Sequence, residues 1–153
     1  MACHGLPNQE PKALPHLKAY LATLSAFVVL DAVWIFLVAG PFFKSQLGPL
    51  LRMEPNLAAA AFFYVVYAAG LVVLVVAPAL QARSAVSAAW RGGALGLTAY
   101  ATFDLTNLAI LERWTLAVAV VDMTWGTLGS SIAALLGFYA ASIGVSGSEE
   151  HTR

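Results

Sequence analysis

The chain has 153 residues, enough for one domain, and 60% of them are apolar, against about 45–50% in soluble proteins. Only 10% are charged, and eight Lys plus Arg balance eight Asp plus Glu, so no basic surface for DNA or RNA is present. The single cysteine, Cys3, excludes an intrachain disulfide and a cysteine metal cage. The composition indicates an integral membrane protein whose partner is the lipid bilayer, with no nucleic-acid partner.

Four stretches are apolar over the length of about 20 residues that a helix needs to cross a hydrocarbon core of ~30 Å. Two of them are followed by prolines, Pro41 and Pro78, which predict the ends of those helices because proline breaks a helix interior. The predicted spans cover residues 20–39, 57–77, 88 or 92 to 110, and 116–143.

Polar segments flank these spans. Residues 1–17 are predicted to be a disordered tail, residues 18–143 a transmembrane domain, and residues 144–153 a polar C-terminal tail. With both termini inside, five of the eight Lys and Arg residues lie on the inner side, which favours cytoplasmic termini. The predicted fold class is therefore an all-α, integral membrane four-helix bundle with both termini on the same side.

Three aspartates interrupt the apolar spans: Asp31 in the first, Asp104 in the third and Asp122 in the fourth. An aspartate at the bilayer centre costs about 2.5–3.5 kcal/mol on insertion scales, so each must be paired, neutral or close to an interface. Counting residues from the span ends places all three in one leaflet, which is the outer leaflet in this orientation.

Small and polar residues form stripes at helical spacing on the third and fourth spans. Small residues let two backbones approach closely, so these spans are predicted to form a tight hairpin in which Asp104 and Asp122 face each other. The stripes contain Gly92, Gly93, Gly96, Tyr100, Asp104 and Asn107 on the third span, and Asp122, Trp125, Gly126 and Gly129 on the fourth.

An Asp-x-x-Trp pattern occurs twice in opposite-running spans, at Asp31 with Trp34 and at Asp122 with Trp125. An indole N–H donates and cannot accept, so it can satisfy a carboxylate on a neighbouring helix. Together with two tyrosines of the second span, these residues predict one polar pocket in the outer leaflet. Its candidate ligand-binding residues are Asp31, Asp104, Asn107, Asp122, Trp34, Trp125, Tyr64, Tyr67 and Tyr100.

The core of the spans contains no Lys, Arg or His, and Arg113 in the third loop is the nearest basic residue that could reach the acids. Three interpretations follow. The acids are neutral ties between helices, because burial and mutual repulsion both disfavour their charge. Alternatively they hold a cation or a cationic solute, and Asp31, Asp104 and Asp122 are the ligands if that cation is a metal. The third interpretation is acid–base chemistry on a lipid.

These interpretations give one leading functional hypothesis and two alternatives. The leading hypothesis is a protein that binds or moves a cation, a proton or a small polar solute. The alternatives are an enzyme or accessory protein of membrane-lipid metabolism and a ligand-free assembly subunit. No catalytic residue and no cofactor is assigned, since the spans lack the His and Cys that haem, zinc or copper sites use. The glycine-rich faces would also suit a homodimer.

Several of these motifs together resemble a family of predicted multi-pass membrane proteins, the domain of unknown function family 2177. The resemblance covers about residues 18–143 and implies a four-helix membrane fold, while it leaves the activity open. Phe103 stands where the family pattern has a tyrosine, so no hydroxyl role carries over to that position. The matching motifs are Phe-Asp-Leu-Thr-Asn-Leu-Ala at 103–109, Trp114, Val-Asp-Met-Thr-Trp-Gly at 121–126, Asp-x-x-Trp at 31–34 and Tyr-x-x-Tyr-x-x-Gly at 64–70.

Overall fold

The computed structural model describes residues 13–143, which are 88% helical and contain no strand. The predicted all-α fold of four helices is confirmed. Two helices are continuous rods that contain a π-helical turn. The helices are α1 (Ala13–Trp34, π-turn Ile35–Ala39, then Gly40–Leu47), α2 (Leu57–Leu71, π-turn Val72–Val76, then Ala77–Gln81), α3 (Ala85–Ile110) and α4 (Leu116–Ser142).

Three helical stretches are long and apolar enough to cross a membrane, namely Leu14–Leu50, Leu57–Gln81 and Leu116–Ser142. The helix α3 is not among them although its 26 residues would extend about 39 Å. It is less apolar because it contains Arg91, Asp104 and Asn107 together with three threonines. The four predicted helices are therefore confirmed, and three of the four predicted spans qualify as spans by length and composition.

The predicted helix ends at Pro41 and Pro78 were wrong, since both helices continue past the proline. Each proline stands two residues after a π-turn, and the N–H between them, of Gly40 or Ala77, bonds to the first carbonyl of that turn. A proline ring clashes with the carbonyl four residues earlier in a regular helix, and the wider π-turn makes room for it. In lipid a full break of the helix would leave backbone groups without hydrogen bonds, so the π-turn costs less free energy than a break.

The starts of two helices differ from the predicted ones. The helix α1 begins at Ala13, so residues 13–17 form its first turn, while residues 1–12 and the C-terminal tail from 144 lie outside the described residues. The helix α3 begins at Ala85, earlier than expected, because the hydroxyl of Ser84 accepts from the Ser87 N–H at 3.1 Å and caps the helix.

The helix α4 is the centre of the bundle and packs against α3 on one face and α1 on the other. On the α3 side Gly96 lies directly against the Gly126 backbone, and the ring of Tyr100 lies on Gly126. On the α1 side Gly137 lies against the side chain of Thr23. Small residues on α4 thus bring both neighbouring backbones close.

The helix α2 is held less evenly. Its π-turn contacts α1, α3 and α4, and Ala77–Gln81 contacts α3 and α4, whereas Leu57–Leu71 packs chiefly on α1. The segment Leu57–Leu71 of α2 therefore stands apart from α3, and a lateral gap lies between them. We name the two ends of the bundle after residues in the loops. The Trp114 end is the one at which α2 and α4 begin, and the Arg83 end is opposite to it. The lateral gap lies toward the Trp114 end.

The close contact at Gly96 gives a stability prediction. A Cβ at position 96 would overlap the Gly126 carbonyl oxygen and the Ser130 side chain, so Gly96→Ala should lower the free energy of unfolding by about 1–3 kcal/mol. Gly70→Ala is the matched control, because a Cβ there meets nothing within 4 Å and alanine favours a helix by up to about 1 kcal/mol. Denaturant titration of the purified protein in detergent measures both, and equal effects would contradict the packing described.

Candidate functional site

The carboxylate of Asp31 joins three helices. Its Oδ2 accepts a hydrogen bond from the Tyr64 hydroxyl of α2 at 2.6 Å, and its Oδ1 accepts one from the Trp125 indole N–H of α4 at 2.8 Å. Only 8% of the residue is exposed. Each oxygen thus has a donor, and neither donor is a cation, so the arrangement ties α1, α2 and α4 together.

The two Asp-x-x-Trp motifs meet through their indoles. Trp34 and Trp125 stack with ring centroids 4.7 Å apart and planes within 3°. Gly129 lies beneath the Trp125 ring, 3.3 Å from where its Cβ would be, so this glycine makes room for the indole. The Trp34 Nε1 is buried, and within residues 13–143 it has no hydrogen-bond partner. Only Trp125 among the two indoles satisfies a carboxylate on another helix.

Asp104 has a different partner from the one the sequence suggested. It is fully buried, and its Oδ1 accepts from the Trp114 Nε1 at 3.2 Å. The indole of Trp114 also meets Phe103 edge-on, with centroids 5.4 Å apart. The loop residue that reaches this acid is therefore Trp114, next to Arg113. The Asp104 Oδ2 is buried and unpaired among the residues described.

Asp122 lies in a cleft of about 340 Å³ at the lateral gap between α2 and α3. The residue is partly buried, and no side chain of the described region donates a hydrogen bond to it. The Tyr67 hydroxyl pairs with the Ser130 hydroxyl at 2.7 Å, which holds that ring in place. Aromatic side chains form the walls, and the full lining is Phe63, Tyr67, Ala99, Tyr100, Phe103 and Asp122.

The three aspartates share one region but do not form one ligand set. Asp31 accepts from Trp125, which stands three residues after Asp122 on α4, whereas Asp104 is bonded to Trp114. In the part of the chain that is described, no group of three or more His, Cys, Asp or Glu side chains is arranged to hold a metal ion. Asn107 does not line the cleft; its carbonyl accepts from the Leu111 N–H at the end of α3.

Sequence reasoning missed the aromatic walls of the cleft, Phe63 and Phe103. Phe63 stands four residues before Tyr67 on α2, and Phe103 three residues after Tyr100 on α3, so helical spacing could have placed each beside a predicted tyrosine. Both are more than a third exposed along the bundle surface, which single-sequence patterns interpret as lipid contact. The cleft arises because the two helices separate, and that depends on tertiary packing.

Fold and surface together define an integral membrane protein. Large apolar side chains face outward, such as Phe36 at 85% and Leu37 at 73% exposure, while Asp31 inside the bundle is hydrogen-bonded to Tyr64 and Trp125. A family described as "Predicted membrane protein (DUF2177)" matches residues 16–139, and the chain belongs to this family. No curated protein and no solved structure matches the chain. The cytoplasmic position of the termini stays a prediction.

The Asp31 hydrogen bonds give a second prediction. In a double-mutant cycle, Asp31→Ala and Tyr64→Phe should each destabilise the protein and should couple by about 0.6–1.7 kcal/mol, which are the average and the maximum found for polar pairs between membrane helices. The coupling arises because either substitution alone removes the 2.6 Å hydrogen bond between these side chains, so the second substitution cannot remove it again. Unfolding free energies in detergent measure it.

The matched control cycle pairs Asp31→Ala with Tyr139→Phe. Tyr139 lies near His16 at the Arg83 end and is remote from Asp31, so these two changes should be additive. Additive effects of Asp31→Ala and Tyr64→Phe as well would contradict the proposed tie.

Proposed function

We propose that this protein binds a small organic cation of the ammonium type in the cleft that contains Asp122. One observation carries the proposal: a carboxylate without a protein donor among the described residues lies in a cleft walled by aromatic rings. Aromatic faces attract ammonium groups, and the attraction grows when the cation is taken out of water. A carboxylate supplies the opposite charge.

The composition of the cleft favours an organic cation over a metal ion. Calcium and magnesium need several oxygen ligands, and the cleft offers one carboxylate with two tyrosine hydroxyls, one of which is already bonded to Ser130. An ammonium group needs one counter-charge and a ring of polarisable walls.

Asp122 is the better candidate among the three acids because the other two have partners. Both oxygens of Asp31 accept bonds from side chains, and replacing either donor by a ligand would leave Tyr64 or Trp125 unpaired. Asp104 is fully buried behind Trp114 and does not line the cleft. We therefore assign the charge-bearing role to Asp122 and structural roles to Asp31 and Asp104.

Binding is better supported than movement across the membrane. Between the cleft and the Arg83 end, the bundle core contains fully buried side chains, including Phe27, Leu71, Val75 and Val76. Transport would need this core to open or a second copy of the chain to complete a path. The predicted homodimer belongs to that version of the proposal, and crosslinking in native membranes that finds only monomer would reject it.

The lateral gap favours a second candidate function, in lipid metabolism. An opening between α2 and α3 at membrane depth admits a molecule with acyl chains directly from the bilayer. In this version Asp122 would transfer a proton to or from the substrate, as an enzyme or as an accessory to one. Conversion of an amine-bearing lipid, followed by mass spectrometry, separates this candidate from simple binding.

Ligand-induced stabilisation tests the proposal. At constant ionic strength and pH, tetramethylammonium, methylammonium or ethanolamine should raise the melting temperature of the purified protein in a saturable way, and Na⁺, K⁺ and Mg²⁺ should not. Ligand at 100 times its Kd stabilises the folded state by about 2.7 kcal/mol. Asp122→Asn should abolish the shift.

Asp104→Asn is the control, since it removes a carboxylate of the same region that does not line the cleft. It should keep the ammonium-dependent shift even if its baseline stability changes. An equal shift in Asp122→Asn, or an equal shift with the metal ions, would refute the proposed site.

A further inference from the structure

A second cavity, of about 610 Å³, lies at the Arg83 end, where the start of α1 and the ends of α2 and α4 meet. Its size falls in the range of ligand pockets, about 300–1,000 Å³. It is distant from the Asp122 cleft and shares no lining residue with it. None of its lining residues takes part in the hydrogen bonds of Asp31 or lines the proposed cation site.

The lining of this cavity combines basic and polar side chains with apolar ones. Arg83 supplies a permanent positive charge, and His16 and Gln81 supply further polar groups. Within residues 13–143, no Asp or Glu lines the cavity. The apolar part comes from Leu80 and Phe138. Such a lining suits a molecule that combines an anionic group with hydrocarbon.

The backbone at Arg83 strengthens this assignment. It closes a Schellman motif after α2, in which the Arg83 N–H bonds to the Leu80 carbonyl and the Ser84 N–H to the Ala79 carbonyl, each at 3.1 Å. Its φ is 50°, and among the described residues it is the one non-glycine with positive φ. Glycine is the usual residue there because a Cβ is crowded in this conformation. A long basic side chain at a strained position beside a cavity indicates use of that side chain.

We propose that this cavity binds the headgroup phosphate of an anionic phospholipid, with the Arg83 guanidinium as its main contact. A guanidinium matches phosphate through two parallel hydrogen bonds. The apolar wall at Leu80 and Phe138 would take the first part of an acyl chain. A lipid is the favoured source over a soluble phosphate compound because the cavity lies where apolar helices end, at the level of lipid headgroups, and because half of its lining is apolar.

Native mass spectrometry of the protein in detergent tests the proposal with three probes: phosphatidylglycerol, phosphatidylcholine with the same acyl chains, and inorganic phosphate. Phosphatidylglycerol should bind most tightly to the parent protein. Arg83→Gln should weaken its binding about tenfold or more, the effect of losing a charge-assisted hydrogen bond. The control Arg91→Gln removes an exposed basic residue of α3 that does not line the cavity, and it should bind like the parent.

Arg83→Gly keeps the test independent of folding. It removes the guanidinium and relieves the positive φ, so it should melt at a higher temperature than the parent without lipid and still lose phosphatidylglycerol binding. Unchanged lipid affinity in both Arg83 variants would overturn the proposal. So would equal affinity for phosphatidylcholine, or binding of inorganic phosphate as tight as that of phosphatidylglycerol, which would point to a soluble ligand.

Discussion

Lipid offers no hydrogen-bond partners to a buried polar group, and the carboxylate of Asp31 is the point where this constraint shapes the bundle. Its two donors come from α2 and α4, so one side chain sets the depth and rotation of three helices relative to one another. The Trp125 indole that donates to it lies over Gly129 and stacks on Trp34. Because α4 also packs tightly on α3, the position of α3 follows from that of α1, α2 and α4.

The same arrangement separates the roles of the three acids. Asp31 and Asp104 each accept from an indole, and they act as ties between elements. Asp122 lies at the lateral gap, where α2 packs on α1 and is separated from α3. A bundle in which every helix touched both neighbours along its whole length would bury Asp122 without access. The uneven packing of α2 therefore makes the difference between a structural carboxylate and one that a ligand can reach.

Several features could be predicted from the sequence because they depend on local chemistry. Apolar length gave the helices, and glycine spacing suggested the close pairing of α3 and α4. The common depth of the three aspartates in the membrane stays a prediction. The passage of α1 and α2 beyond Pro41 and Pro78 could not be predicted, because a π-turn has no distinct sequence pattern. The aromatic cleft and the pairing of Trp114 with Asp104 depend on how helices and a loop meet. The positive φ of Arg83 could not be predicted either, since a backbone conformation of this kind has no distinct sequence pattern when the residue is not glycine.

The most direct measurement of the division between structural and accessible acids is labelling with dicyclohexylcarbodiimide, an apolar reagent that modifies protonated carboxyl groups reached from lipid. Native membranes are treated between pH 5 and 8, and modified aspartates are located by peptide mass spectrometry. Asp122 should be labelled first, and tetramethylammonium should protect it, while Asp31 and Asp104 should remain unmodified as long as the protein is folded. Labelling of Asp31 or Asp104 ahead of Asp122 would contradict the arrangement described, because it would place the accessible carboxylate elsewhere in the bundle.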